Sequence, residues 1–317
     1  MNELTLNDHF RCGYDGDLSF QRRQRPAEKF QALLGRCASF PTFRAACKAA
    51  AEAILAAEGP PPAVLLSGGI DSETCVRAFL DAGHVPEVVI ARLGRHESQD
   101  FNVARWVAKH LKLRPHVVEI DVLSREGKIK VLQAGIFAQT ISPQFATHCQ
   151  IIEAAARLGF RPVLAIGDNE LRLNHHRPVV VEREKETFAY KFASARRWER
   201  TVPAFFQYTP ELVWSRLAGE GSEIWAELTA DNYFKVKEAF HLYHYPDIAP
   251  REKRTGFEEL GWEWDFSLRS RLRELLPAGS ETELEFNLSE LCAYLSGAAP
   301  FPTPASRLAR PQSNPTA

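Results

Sequence analysis

Ser67-Gly68-Gly69-Ile70-Asp71-Ser72 stands directly after the apolar run Ala63-Val64-Leu65-Leu66 and directly before a stretch with helical spacing. Two adjacent glycines let a chain turn sharply and bring backbone N–H groups against a ligand with no Cβ in the way. The helix that follows presents free N–H donors and a partial positive charge to the same spot. Ser67 and Ser72 add hydroxyls, so the ligand this turn suits is a phosphate chain. Asp71 would repel a bare phosphate and makes sense as a ligand for Mg2+ bridging phosphate oxygens. A turn whose Asp or Ser merely caps a helix is the plainer reading. The apolar strand before it and the helix after it favour the ligand. Neither a G-K-[ST] loop nor a G-x-G-x-x-G turn accounts for the segment.

Outward from this loop the pattern alternates. Helices are expected at Ser72–Ala82, Phe101–Leu111, Ile129–Ala138 and Ala146–Leu158, and strands at Glu87–Leu93, His116–Ile120 and Pro162–Ile166. Strands alternating with helices of this length predict an α/β fold, a parallel sheet wound by helices on both faces. Upstream, Ala27 to about Ala57 reads as helical, ended by Gly59-Pro60-Pro61-Pro62. Downstream, Val179–Glu182 and Phe188–Phe192 read as a hairpin. Helices are expected at Pro210–Ala218, Asn232–Leu242, Leu268–Leu276 and Glu281–Leu295. The division that results is a lead-in over 1–59, a phosphate-loop α/β core over 60–175, a hairpin plus helical region over 176–296 closing the site, and a proline-rich disordered tail over 297–317.

The 317 residues carry 39 Lys+Arg against 40 Asp+Glu, a formal net charge of −1 that gives no global attraction to nucleic acid. No window approaches the roughly 20 apolar residues of a membrane span. The first residues lack a basic-then-apolar leader, so a cytoplasmic protein is expected. Six cysteines with no C-x-x-C pair predict reduced thiols rather than a metal or redox site.

SGGIDS resembles the PP-loop of the N-type ATP pyrophosphatases, the family of asparagine, β-lactam, GMP and NAD synthetases. The resemblance implies cleavage of ATP between its α and β phosphates, an acyl-adenylate formed on a substrate oxygen, and displacement of AMP by a nitrogen nucleophile. Two further segments are similar to the asparagine and β-lactam synthetase branch. They are Asp100–Asp121 (DFNVARWVAKHLKLRPHVVEID) and Arg251-Glu252-Lys253-Arg254-Thr255-Gly256-Phe257 after YPDIAP. The second implies Lys253 as the catalytic cation, a role an ammonium beside the departing pyrophosphate fills well. Leu164–Leu171 occupies the place of the branch's "S-G-E-G-x-D-E-L" strand end. Gly167, Glu170 and Leu171 match, Ile166 replaces a glutamate, and Asn169 replaces an aspartate. Asp168 offers the missing carboxylate to the metal. The resemblance thus implies Ser67, Gly68, Gly69, Asp71, Ser72 and Gly167 at the phosphates, with adenine between Leu66 and Ala91. With no cysteine at position 2 and no room for a glutaminase domain before residue 60, the nitrogen is expected from external ammonia or an amine.

A small-molecule acceptor is the main expectation. The rivals are a PP-loop enzyme acting on tRNA or a nucleobase precursor, and a non-catalytic ATP-binding module. Arg196–Arg200 followed by Phe205, Phe206 and Tyr208 suits either stacking on a nucleic acid or a partly buried helix–loop. His175-His176 reads as a loop pair, and His241 with His244 could share a helix face.

Overall fold

The computed structural model describes residues 9–14, 30–94, 98–167, 170–174, 177–196, 201–229, 231–251, 256–276 and 282–308. In chain order these form β1 (Phe10–Tyr14), β2 (Phe30–Leu34), α1 (Phe43–Ala56), β3 (Pro62–Leu65), α2 (Ile70–Asp81), β4 (Glu87–Leu93), α3 (Gln99–His110) and β5 (Pro115–Ile120). There follow α4 (Arg125–Ala138), α5 (Pro143–Arg157), β6 (Arg161–Val163), β7 (Glu170–Asn174), β8 (Arg177–Arg183), α6 (Phe188–Ala195) and α7 (Pro210–Ala218). The last described elements are α8 (Tyr233–His244), α9 (Gly256–Glu259), α10 (Trp262–Leu275), β9 (Thr282–Asn287), α11 (Leu288–Leu295) and β10 (Ala305–Leu308).

The centre is a parallel sheet in the order β5-β4-β3-β6, with Val64 opposite Val88 on one side and Val163 on the other. Ala63 and Val64 are fully buried, as a strand covered on both faces requires. One face packs on α1, α2 and α3 through Cys47, Val76 and Ala104; the other packs on α4 and α5 through Val131, Cys149 and Ile152. Helix α1 buries Phe43, Ala46, Cys47, Ala50 and Ile54 along one stripe and is capped by the Thr42 hydroxyl, which accepts from the Ala45 N–H at 3.3 Å. The expected α/β architecture is the observed one.

Four expectations are corrected. Residues 30–34 are a strand, not the start of a helix: β2 pairs antiparallel with β1, Phe10 opposite Leu34. Phe188–Phe192 is helix rather than the second arm of a hairpin. Nearly the whole of α6 is buried, so its sequence lacks the polar stripe that reveals a surface helix. Glu281–Leu295 divides into β9 and α11 at Asn287, whose Oδ1 accepts from the N–H groups of Ser289 and Glu290. Within the proline-rich end, β10 pairs with β9. These strands build a second, antiparallel sheet in the order β10-β9-β8-β7.

Beyond β6 the chain stays extended. The Val202 carbonyl accepts from the Leu164 N–H at 3.0 Å, and the Ile166 carbonyl accepts from the Phe206 N–H at 3.1 Å. Phe205 and Phe206 are therefore core residues, at 0% and 1% exposure, not a stacking surface for nucleic acid. Among the described residues no helix is long and apolar enough to cross a membrane.

Candidate nucleotide site

The diglycine turn sits at the carboxyl end of β3, where its neighbours β4 and β6 lie on opposite sides, the position at which parallel α/β sheets open a crevice. Gly68 has φ +82°, and a Cβ there would lie 2.6 Å from the Asp100 carbonyl oxygen, so both conformation and space require glycine. Gly69 is the N-cap of α2. The Ser72 hydroxyl donates to the Gly69 carbonyl at 2.8 Å and accepts from the Ser67 N–H at 3.2 Å, which closes the turn on itself.

Two cavities meet at this turn. The first, of about 240 Å3, opens across the ends of β3, β4 and β6. Its lining includes Leu66, Ser67, Gly69, Asp71, Ser72 and Ala91, so the loop and the two residues expected to flank adenine share one space. The second, also about 240 Å3, lies beyond the loop between α2, α3 and α8, and adds Lys235, Lys237 and Arg251. Gly69, Asp71 and Asp100 line both.

Asp71 is engaged from α8. Lys237 Nζ donates to its Oδ2 at 2.7 Å, and His241 Nε2 lies 3.3 Å from its Oδ1. His241 is fully buried, and its other ring nitrogen is 2.9 Å from the Thr74 hydroxyl. Burial lowers its pKa, with Asp71 opposing the shift. Glu73 is buried at 1% exposure and paired with Arg77 at 2.7 Å and with Arg251. The Gly256 N–H donates to Asp100 Oδ2 at 2.6 Å. Both flanks of the segment carrying Lys253 are thus tied to the walls of the cavities. Lys253 itself, Asp168, Asn169 and the pair His175-His176 lie outside the described residues.

Gly167 does not line either cavity. Its φ is +85°, and a Cβ would lie 2.8 Å from that of Ala204, so the residue serves a turn behind the site. Sequence reasoning missed Lys237 and Glu73, and two residues on α5, Gln144 and His148, which face the first cavity. His241 was noticed only as half of a histidine pair; the structure gives it to Asp71 and Thr74, and gives His244 Nε2 to the Glu220 carbonyl at 3.0 Å. The six cysteines are free thiols. Burial pushes Cys37 up to about 12 and Cys292 up to about 11, which removes them as nucleophiles at neutral pH.

Oxygen donors are what the loop and the start of α3 offer a cation: the Asp71 and Asp100 carboxylates and the hydroxyls of Ser67 and Ser72. Mg2+ binds through one or two carboxylates together with substrate phosphates and water, and this set fits it.

The family described as "Queuosine biosynthesis protein QueC" matches residues 62–146. A curated relative, the 7-cyano-7-deazaguanine synthase of Polynucleobacter asymbioticus, is 31% identical over 84 residues, 26% of this chain and 34% of its own length. The aligned part therefore spans about a third of that relative. Among solved structures, the chain is similar to NMN synthetase from Francisella tularensis at 11% identity and a TM-score of 0.31, covering 67% of this chain and 98% of the other. It is similar to NH3-dependent NAD synthetase from Campylobacter jejuni at 15% identity and a TM-score of 0.27, covering 67% and 97%. The matched region 62–146 runs from the first residue of β3 into the first turn of α5 and contains the diglycine turn.

Proposed function

We propose that this chain is an ATP-dependent ligase. It transfers AMP from ATP to an oxygen of a nucleobase-type precursor, releasing pyrophosphate, and an attacking nitrogen nucleophile then displaces AMP. The observation that carries the reading is the pair of cavities joined at the diglycine turn. A nucleoside and an acceptor share the apolar cavity at the strand ends, and the outer phosphates lie toward Lys235, Lys237 and Arg251. The α-phosphorus is then at the junction of the two, beside the N-terminus of α2, where free N–H groups favour anionic oxygen. Lys237 supplies positive charge where the pyrophosphate leaves, and charge placed there before reaction needs no reorganisation. Asp71 with Asp100 would hold Mg2+, which when bound neutralises phosphate charge.

Support for a ring acceptor over an amino acid comes from the apolar cavity. Among its described lining residues the charged side chains are Asp71 and Asp100, and none of these described residues is a cation for an α-carboxylate. Leu65, Ile151, Ile166 and Phe257 offer apolar surface to a flat ring instead. The match to a relative named for a deazaguanine product points the same way. A nitrile stands at the oxidation level of a carboxylic acid, so activation of a ring carboxylate followed by ammonia leads toward one. This reading takes up the nucleobase-precursor alternative in place of the asparagine synthetase-like ligase that the sequence first suggested.

The test is a product analysis. The chain is incubated with Mg-ATP, ammonium and a deazapurine carboxylate, and nucleotides are separated. AMP and pyrophosphate should accumulate, Asp71→Asn and Lys253→Ala should abolish both, and Lys237→Met should weaken ATP binding by about tenfold or more. ADP as the product, or equal stimulation by aspartate, overturns the proposal.

A further inference from the structure

Helix α5 carries a polar pair that the fold itself does not use. Gln144 and His148 are one turn apart, and with Ile151 they form the face of α5 that lines the apolar cavity. Neither side chain has a hydrogen-bond partner among the described residues. Other polar side chains around the same loop are engaged: Ser67 with Ser72, Asp71 with Lys237, Asp100 with Gly256. His148 is held by rings instead, with Phe145 at 6.2 Å, Phe188 at 5.9 Å and Phe257 at 5.6 Å between centroids. That packing holds the imidazole among three rings at the cavity wall. Both side chains are half-buried at the cavity wall, so hydrogen-bonding capacity stands open there to a ligand.

Position decides which ligand. Displacement at a phosphorus runs roughly in line, attacking and leaving oxygens on opposite sides. If pyrophosphate departs toward Lys235, Lys237 and Arg251, the attacking oxygen enters from the other cavity. Gln144 and His148 line only that other cavity. Resting on the proposed ligase reading, we infer that Gln144 and His148 are the residues that recognise the acceptor, reading the hydrogen-bonding edge of a planar heterocycle rather than its charge. A neutral imidazole presents one donor and one acceptor, and a carboxamide presents both as well. Together they complement a ring edge on which donor and acceptor alternate, as in a lactam beside an amino group. Burial pushes the His148 pKa down to about 4, so the ring is neutral where the protein works.

Guanine and AMP serve as probes, titrated separately into the full chain by calorimetry. His148→Phe keeps the ring packing and deletes both nitrogens; Gln144→Leu deletes the amide. Each variant should bind guanine about tenfold more weakly, keep AMP affinity within about twofold, and leave the melting temperature unchanged. His148→Asn, which retains a donor and an acceptor near the same place, should recover part of the guanine affinity. Equal losses for AMP and guanine would mean that the pair reads adenine, and would overturn the inference. So would a wild-type chain that binds AMP and not guanine, with the ligase reading left standing. A wild-type chain that binds neither overturns both.

Discussion

The cleft at the end of the parallel sheet and the face of the antiparallel sheet both carry polar groups and treat them differently. On the antiparallel sheet, Arg172 reaches Glu170 at 2.6 Å and Glu283 at 2.9 Å. Arg183 reaches Glu283 and Glu186, each at 3.0 Å, and also pairs with Glu170. Three strands contribute, and the register places Arg183 directly opposite Glu283. Burial alone would favour the neutral guanidinium of Arg183, but Glu186, Glu170 and Glu283 outweigh it and raise its pKa. Each of these five charges is answered by a neighbour. In the cleft, Gln144 and His148 are answered by nothing described, and the turn is shaped by glycine to bring backbone toward a ligand. Density of charge is thus a poor guide to a site in this molecule; unanswered hydrogen-bonding capacity is the better one.

The sharpest way to break the comparison is at Gly68. Gly68→Ala places a Cβ 2.6 Å from the Asp100 carbonyl oxygen in a backbone conformation with φ +82°. Left-handed backbone and overpacking together should cost roughly 3 kcal/mol. AMP formation and ATP binding should be lost with it, since the turn can no longer approach the phosphates. A variant that folds with native stability and binds ATP would show that the turn is ordinary after all.

Glu283→Gln tests the other region. The pair partners Arg172 and Arg183 remain, half-buried and short of a carboxylate, so stability should fall by about 2 kcal/mol. Burial works to raise the Glu283 pKa, but the two arginines hold it below the ordinary 4.5. Its ionised form therefore stabilises the fold above that value, and the contribution fades as pH falls through the lowered one. Denaturation of variant and wild type should accordingly converge in acid. AMP formation at neutral pH should be unchanged, because the network belongs to the scaffold. A large loss of turnover in a stable variant would erase the distinction between the two regions.

What the sequence made legible is what local chemistry specifies. An apolar run before a diglycine turn and a helix after it is contained within Ala63–Asp81, and the parallel core follows from the same alternation. The antiparallel sheet was illegible because its partners are remote: Val180 of β8 pairs with Phe286 of β9, with five helices between them. TELEFN alternates as a strand should, but a capped helix follows it immediately and absorbs it into one helical reading. Lys237 and His148 were missed for a related reason. Each lies in a helix whose sequence reads as packing, and only the tertiary arrangement turns it toward the loop.

The mildest test uses pH. His148 sits near 4 in the folded protein against 6.5 ordinarily, because burial disfavours its charge. Above 6.5 both folded and unfolded chains hold it neutral, and it contributes nothing to pH dependence. As pH falls from 6.5 toward 4, the unfolded chain takes up a proton that the folded chain refuses, so stability declines with a slope of up to about 1.4 kcal/mol per pH unit. Below that range both are protonated and the loss levels off. His148→Phe removes the titrating group while keeping an aromatic ring against Phe145, Phe188 and Phe257. The variant should match wild type at pH 7 and exceed it at pH 5, measured by urea denaturation at each pH. Parallel curves would show that His148 is already answered in the folded chain, and the cleft would then resemble the antiparallel sheet in the one respect on which they are held to differ.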